Sequence, residues 1–344
     1  MPNPGPGQLT TDQGLALIDQ LSHFRAAPGE RLPVLVLTGG DVLMRADLFE
    51  LVAAARLAGF PVALAPSVTP RLAPALLREL RASGVSSVSI SLDGATPGTH
   101  EGIRGVPGHF DQTLAALRLV GEIGFKVQVN TAVMRANARE LAGVAAIVKD
   151  LGATAWEVFF LVKVGRGRDQ QELPAEENED IAHFLFEASH YGFAVRTVEA
   201  PWYRRVAAKR QALGPVRDPS TALSLGPLYQ ELSAELRDRL GPPEQASNSA
   251  TAGTRDGKGI FFISHDGWAF PAGFLPLRLG NVKEDDPVAI YRDHKLLRAI
   301  RKAEFTGRCG RCGLRDLCGG SRSRAWATFG DPLGEDPGCA YLPV

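Results

Sequence analysis

Residues 85–133 read VSSVSISLDGATPGTHEGIRGVPGHFDQTLAALRLVGEIGFKVQVNTAV. The opening VSSVSISLDG (85–94) is rich in β-branched residues and stops at a glycine, the mark of a strand. HFDQTLAALRLVGEIG (109–124) carries leucines and valines at helical spacing and ends in a glycine. KVQVNTAV (126–133) reads as a second strand. Strand, helix and strand in succession are the repeating unit of a parallel sheet.

The rhythm extends both ways. Upstream, PVLVLTGG (33–40) is an apolar run bounded by Pro and Gly, expected as a strand buried on both faces. DLFELVAAARLAG (47–59) is a helix, PVALAPS (61–67) a strand, and PRLAPALLRELRASG (70–84) a helix with proline in its first turn. Downstream, NARELAGVAAIVKDLG (137–152) is a helix and ATAWEVFFLVKV (153–164) a strand. Five strands fall between residues 33 and 164, alternating with helices. The series opens with a helix, where Thr10 and Gln13 form a capping box and Leu17, Ile18, Leu21 and Phe24 recur on one face. With no strand before it, the fold is either an α-first variant or one that lacks an upstream strand. Past about residue 200 the pattern dissolves. GPPEQASNSATAGTRDGKG (241–259) is loop by composition, and GIFFISHDGWAF (259–270) is a hairpin turning at His265-Asp266-Gly267.

The composition narrows the class. The 344 residues are 44% hydrophobic and 22% charged, with 38 basic against 38 acidic side chains. Balanced charge gives no field to recruit nucleic acid or an anionic membrane. No run reaches the roughly 18 apolar residues of a membrane span, and the start MPNPGPGQLTTDQG has no signal-peptide pattern. A cytoplasmic globular protein is expected. Eight of the basic residues are lysine and the rest arginine, scattered along the chain, as a GC-rich coding bias would leave them.

All four cysteines, Cys309, Cys312, Cys318 and Cys339, lie in the Gly- and Arg-rich tail, spaced C-x2-C-x5-C-x20-C. Such a segment has little periodicity and needs something other than a core to hold it. In a cytosolic chain this argues for a metal rather than disulfides. Thiolates suit zinc or an iron–sulfur cluster. Zinc ribbons present two C-x2-C pairs, whereas uneven spacing in a Gly-rich loop is more typical of a cubane. The spacing leaves both open.

Taken together, the βα series and this tail resemble the radical S-adenosylmethionine (SAM) superfamily, in its branch with a C-terminal SPASM/twitch-like auxiliary cluster domain. LVLTGGDVLMRADLFEL (35–51) resembles its Gly-Gly turn, VSISLDGATPGTHEGIRGVPGHF (88–110) its SLDG strand end and arginine loop, and CGRCGLRDLCGGSRSRAWATFGDPLGEDPGCAYLP (309–343) its tail. The resemblance spans residues 8–343. It implies an α/β fold, a partial (β/α)6 TIM-like barrel with its first strand missing, over residues 8–200. Connecting helices and loop (201–258) and a small Cys-rich iron–sulfur domain (259–344) would follow. It implies that Thr38, Gly39, Gly40 and Asp41 meet the methionyl amino group, with Val42 standing where the family favours Pro. It implies Ser91 and Asp93 near the ribose, Arg104 against the cofactor carboxylate, Asn130 in ligand contact, and the end of WEVFFLV (156–162) near the adenine. Each has a plainer reading: a glycine turn, a strand-end cap, a surface arginine, a satisfied core amide. His100, His109 and His265 read more readily as structural than as substrate groups.

The family's defining C-x3-C-x2-C is absent, since no cysteine precedes Cys309. In the family that loop comes before the segment matching GQLTTDQG, so a start codon assigned too late or a truncated gene is the economical expectation, and a natural pseudoenzyme the other. An open barrel edge would make such a chain poorly soluble. The expected cofactors are an auxiliary 4Fe-4S cluster at the four cysteines and S-adenosyl-L-methionine, with a second 4Fe-4S cluster only if the N-terminus is longer. The expected activity is reductive cleavage of SAM and hydrogen abstraction from a tetrapyrrole or peptide. A small-molecule or peptide substrate and a reductant such as a flavodoxin or ferredoxin would be the partners, with no nucleic acid and no membrane. The alternatives are a non-catalytic iron–sulfur binding or electron-transfer and peptide-recognition protein, and a zinc-tailed scaffold.

Overall fold

The computed structural model describes residues 7–24, 32–214, 219–243, 245–249 and 254–343. Helix α1 (Thr11–Ser22) starts at the expected capping box: the Thr10 hydroxyl accepts from Gln13 N at 3.2 Å and Gln13 Oε1 accepts from Thr10 N at 3.0 Å. Then follow β1 (Leu35–Leu37), α2 (Leu48–Leu57), β2 (Val62–Leu64), α3 (Pro74–Ala82), β3 (Val85–Ser91), α4 (Pro97–Arg104), α5 (His109–Glu122), β4 (Lys126–Val133), α6 (Leu141–Asp150), β5 (Ala155–Phe160), α7 (Ala175–Ala188) and β6 (Ala194–Val198). Helices α8 (Tyr203–Leu213), α9 (Pro219–Leu223) and α10 (Pro227–Leu240) lead to a small antiparallel sheet of β7 (Phe262–Ile263), β8 (Trp268–Phe270) and β9 (Gly280–Asn281). Four short helices close the chain: α11 (Pro287–Asp293), α12 (Lys295–Arg301), α13 (Gly307–Arg311) and α14 (Arg322–Phe329).

The large sheet has the order β1-β2-β3-β4-β5-β6, with β1–β2, β2–β3 and β5–β6 parallel. Strands that stay in chain order without a reversal wind one way, as in a barrel, and not doubly as in a nucleotide-binding sheet. The sheet is an open part of a (β/α) barrel.

Two strands differ from the sequence expectation. The run at 33–40 yields a strand of three residues at one edge of the sheet, so Val36 is 50% exposed and Val34 56%. An edge strand lacks a neighbour on one side, which is why it is not buried on both faces. At the other edge, β6 is a sixth strand that the sequence pattern hides, with Arg196 exposed and Thr197 half-buried at its centre. Its free side is covered by residues 248–249: Val195 N donates to Asn248 O at 3.1 Å, which blunts the edge.

Two compact units are present. One comprises residues up to Ile90, Gln112–Gln128 and Phe261–Arg298. In it Leu9 N donates to His265 O at 2.7 Å, and Phe24 meets Phe261 and Tyr291 edge-on, so α1 is stapled to the hairpin segment. The other comprises Ser91–Asp111, Val129–Ile260 and Ala299–Val344. Its core holds Trp156, Phe184 and Phe193. Trp156 Nε1 donates to Thr131 Oγ1 (2.9 Å), which donates to Leu92 O (2.7 Å), so a buried indole is satisfied across successive strands. The cysteine tail belongs to this second unit.

Candidate functional site

Thr38, Gly39, Gly40 and Asp41 follow the C-terminal end of β1, and the first three are exposed. Gly39 has φ +141 with nothing near where a Cβ would stand, leaving the backbone open to a ligand. Asp41 is engaged locally. Its Oδ1 accepts from Leu43 N (3.1 Å), capping the short turn at Val42–Met44, and its Oδ2 accepts from Thr69 Oγ1 (3.2 Å). Val42 is buried, so where the family favours Pro this turn is stiffened by core packing.

In the second unit, Ser91 ends β3 half-buried and Asp93 stands just beyond it, 2% exposed. Arg104 Nη2 lies 2.6 Å from Asp93 Oδ2, and Asp93 Oδ1 accepts from Ala132 N at 2.8 Å. Burial pushes the Asp93 carboxyl up from its ordinary value, and the Arg104 charge pulls it back. Asp93 and Arg104, read separately from sequence, are therefore a pair, and both Asp93 oxygens are in use. Asp93 N also donates to His100 Nδ1 (3.0 Å), which puts the His100 proton on Nε2, 2.8 Å from His109 Nδ1. Burial, reinforced by Arg104, holds His100 down to about 4, so it is neutral near pH 7. Asn130 is half-buried rather than enclosed, on the same side of β4 as Ala132, and its carbonyl accepts from Leu92 N at 2.8 Å.

Sequence reasoning missed two residues here. Glu140 accepts from Ala95 N (2.7 Å) and Thr96 N (3.2 Å) and from the hydroxyls of Thr96 and Thr99, fixing the start of α4, the helix that ends at Arg104. Glu157 stands on the half-buried side of β5, beside Phe159. A glutamate inside an apolar strand was the available signal for Glu157; Glu140 gave none, because its partners lie some forty residues away in sequence.

The four cysteines line one solvent-open cleft of about 440 Å3, together with Arg205, Arg308, Arg315 and Asp336. Three backbone amides point at sulfur: Leu314 N at Cys312, Gly320 N at Cys318 and Asp336 N at Cys309, each at 3.4 Å. Arg322 Nη2 adds a fourth donor to Cys309 Sγ at 3.6 Å. Donors of this kind favour thiolate over thiol. Burial pushes the Cys318 thiol up to about 12 and Cys339 to about 11, so a bound metal ion must displace those protons. The sulfurs surround a cleft rather than a point: among the described residues, no three His, Cys, Asp or Glu side chains converge as ligands of one ion. Thiolates spread around a volume suit a polynuclear cluster, with each sulfur on its own iron. Residues 1–308 carry no cysteine, so this chain has no second set of thiolates.

Comparison with known proteins agrees with this architecture. Residues 6–146 match the radical SAM superfamily model. The AdoMet-dependent heme synthase of Methanosarcina barkeri is 34% identical over 98% of this chain and 89% of its own length. The Fe-coproporphyrin III synthase of the same organism is 28% identical over 97% of this chain and 80% of its own. Streptococcus suis SuiB bound to precursor peptide SuiA superposes with a TM-score of 0.66 at 14% identity, over 97% of this chain and 70% of that one, which shows the shared fold. The family uses 4Fe-4S clusters and S-adenosylmethionine, and its named homologues are enzymes. The chain belongs to the radical SAM superfamily.

Proposed function

We propose that the chain binds a tetrapyrrole and S-adenosylmethionine at the strand ends of the partial barrel, and that Cys309, Cys312, Cys318 and Cys339 hold an auxiliary 4Fe-4S cluster. The observation that carries this is the convergence of four tail cysteines, with amides aimed at three of them, on one cleft. The tetrapyrrole rests on similarity over nearly the whole chain to enzymes named for heme and coproporphyrin.

Each strand end has a chemical part. The open backbone of Thr38, Gly39 and Gly40 receives the methionyl amino group, with Asp41 holding the turn and adding negative charge. Arg104, oriented by Asp93, presents its remaining guanidinium edge to a carboxylate. Ser91 and Asn130 offer polar groups to the ribose. S-adenosylmethionine, once reductively cleaved, supplies the radical that abstracts hydrogen from substrate. The thiolates of the cluster that would deliver the cleaving electron are not among residues 1–308. The protein works in the cytoplasm and draws electrons from a small reductant such as a flavodoxin or ferredoxin.

Anaerobic reconstitution with iron and sulfide, followed by iron analysis and EPR of the dithionite-reduced protein, tests the site. One cubane, about four irons per chain, is expected, with Cys312→Ala losing it. A colourless, zinc-loaded protein overturns the cluster reading. Titration with iron coproporphyrin III is expected to shift its Soret band, and no shift removes the tetrapyrrole. The same sample incubated with SAM and dithionite should yield no 5′-deoxyadenosine; its formation would show that a reducing cluster is held by other means.

A further inference from the structure

Six arginines are buried in the second unit, and they fall into two groups. Arg205, Arg210 and Arg324 each have a carboxylate partner, Glu179, Glu187 and Asp336 respectively. Arg204, Arg255 and Arg322, only 7%, 5% and 0% exposed, form no ion pair with any described carboxylate. Their donors go to carbonyls. Arg322 gives to Gly320 O (3.1 Å), Pro332 O (3.1 Å) and Gly334 O (2.6 Å) as well as to Cys309 Sγ. Arg255 gives to Ile300 O (3.0 Å), Asp316 O (3.1 Å), Cys318 O (3.3 Å) and Arg315 O (3.4 Å), while its Nε is unpartnered. Arg204 gives to Leu317 O at 3.4 Å. Both Arg255 and Arg322 lie over the Phe305 ring.

A buried guanidinium that meets carbonyl dipoles and a ring face but no carboxylate in contact remains a poorly compensated charge, and burial of a charge is tolerated when an anion shares the site. Here two of the charges also crowd one another, since the guanidinium groups of Arg255 and Arg322 lie 5.4 and 4.5 Å from the centre of the same Phe305 ring. What the three have in common is the cysteine ring: Arg322 touches Cys309 Sγ, and Arg204 and Arg255 both feel Cys318. A cubane on four thiolates carries net negative charge and takes on one more when an electron arrives.

We propose that Arg204, Arg255 and Arg322 are the built-in counter-ions of the cluster at Cys309, Cys312, Cys318 and Cys339: they hold its potential up by stabilising the reduced form, and they make the fold of the tail depend on the cluster. This rests on the cluster reading above. The arginines are positioning residues and touch no substrate.

The test compares wild type with Arg322→Gln, Arg322→Lys and Arg204→Gln, each reconstituted and also stripped of iron. Arg204→Gln is the gentlest, because that side chain makes a single long carbonyl contact. Two readouts are taken, the midpoint potential from an EPR-monitored titration and the melting temperature with and without cluster. Both Gln variants are expected to titrate at more negative potential than wild type, and Arg322→Lys close to it. The stripped Gln variants are expected to melt higher than stripped wild type, and the loaded ones lower, because removing a buried cation relieves the empty ring and weakens the full one. A purely structural arginine would lower both melting temperatures, and that pattern, or an unchanged potential in a fully loaded Arg204→Gln, overturns the proposal while the cluster stands. Wild type that takes up no iron sinks the cluster reading, and the counter-ion proposal with it.

Discussion

Ser323 Oγ lies 2.9 Å from Glu199 Oε1 and 2.8 Å from Asp256 Oδ2, and it has one proton to give. One of the two contacts must therefore carry a proton on the carboxyl. Glu199 is the acceptor of choice: it is fully enclosed, burial pushes its pKa well above the ordinary 4.5, and the neighbouring Asp256 pushes the same way. It also sits at φ +60, a conformation costly for a side chain, held by Ser321 Oγ at 2.5 Å on Oε2 and Arg324 on its carbonyl. A carboxyl whose folded pKa is raised keeps its proton where the unfolded chain has lost it. Its contribution to stability is complete below about pH 4.5 and declines as pH rises from there through the folded value. Glu199→Gln should retain near-wild-type stability at neutral pH and lose that declining slope. Glu199→Ala, which leaves the buried Ser321 hydroxyl without an acceptor while Ser323 keeps Asp256, should cost about 1–3 kcal/mol. Urea midpoints against pH check both, and an unaltered slope in the Gln variant counts against the protonated carboxyl. None of this was legible in the sequence, because Glu199 and Ser323 are 124 residues apart. Thr38–Asp41 were legible, since a glycine turn after a strand is a local pattern.

Among the elements, what could be read depended on where each one finds its partners. The start of α1 was visible because Thr10 and Gln13 satisfy each other across one turn. The start of α10 was not. Gly226 stands at its N-cap with no side chain to offer, and the cap comes from α7, where Asp180 Oδ1 accepts from Gly226 N (2.7 Å) and Oδ2 from Tyr229 N (3.3 Å). A Cβ on Gly226 would run into that carboxylate, so the glycine is there to let Asp180 in. Burial raises the Asp180 pKa while the two amides oppose the rise. Asp180→Ala should cost about 1–2 kcal/mol, the usual range for a lost cap, and should loosen α10 against α7. Gly226→Ala should do the same by collision. Hydrogen exchange confined to the first turn of α10 is the expected signature, and equal exchange in wild type and Asp180→Ala would show that the cap contributes nothing. The same logic explains β1 and β6: apolar run length predicted a buried strand at 33–40 and passed over Ala194–Val198, because an edge position is a property of the sheet and not of the segment.

Over the whole molecule, chain order and packing order diverge. The βα series made the sheet readable before any coordinates, yet composition says only where a pattern stops, not what the remainder packs on. In the second unit Arg324 on α14 ties the tail to the strand ends, beside the bonds of Ser321 and Ser323 to Glu199. Its Nη2 donates to Leu161 O just past β5 (3.0 Å), and its Nη1 to Glu199 O just past β6 (2.9 Å) and to Asp336 Oδ1 (3.4 Å). Its guanidinium lies 5.1 Å from the Trp202 ring centre. Asp336 in turn receives Ser321 N at 2.7 Å and sends its own amide to Cys309 Sγ, so one buried cation spans from the barrel mouth to the cysteine ring. Replacing it by methionine fills the volume but abandons Asp336 in the interior, and breaking a buried pair this way costs about 3–5 kcal/mol. Arg324→Met should therefore lower the melting temperature by well over the scatter between surface variants, speed exchange in α14 and at residues 199–203 together, and weaken iron retention though every cysteine is intact. If α14 loosens while residues 199–203 and the bound iron are untouched, the tail is carried by its own contacts, and Arg324 does not join the ring to the strand ends.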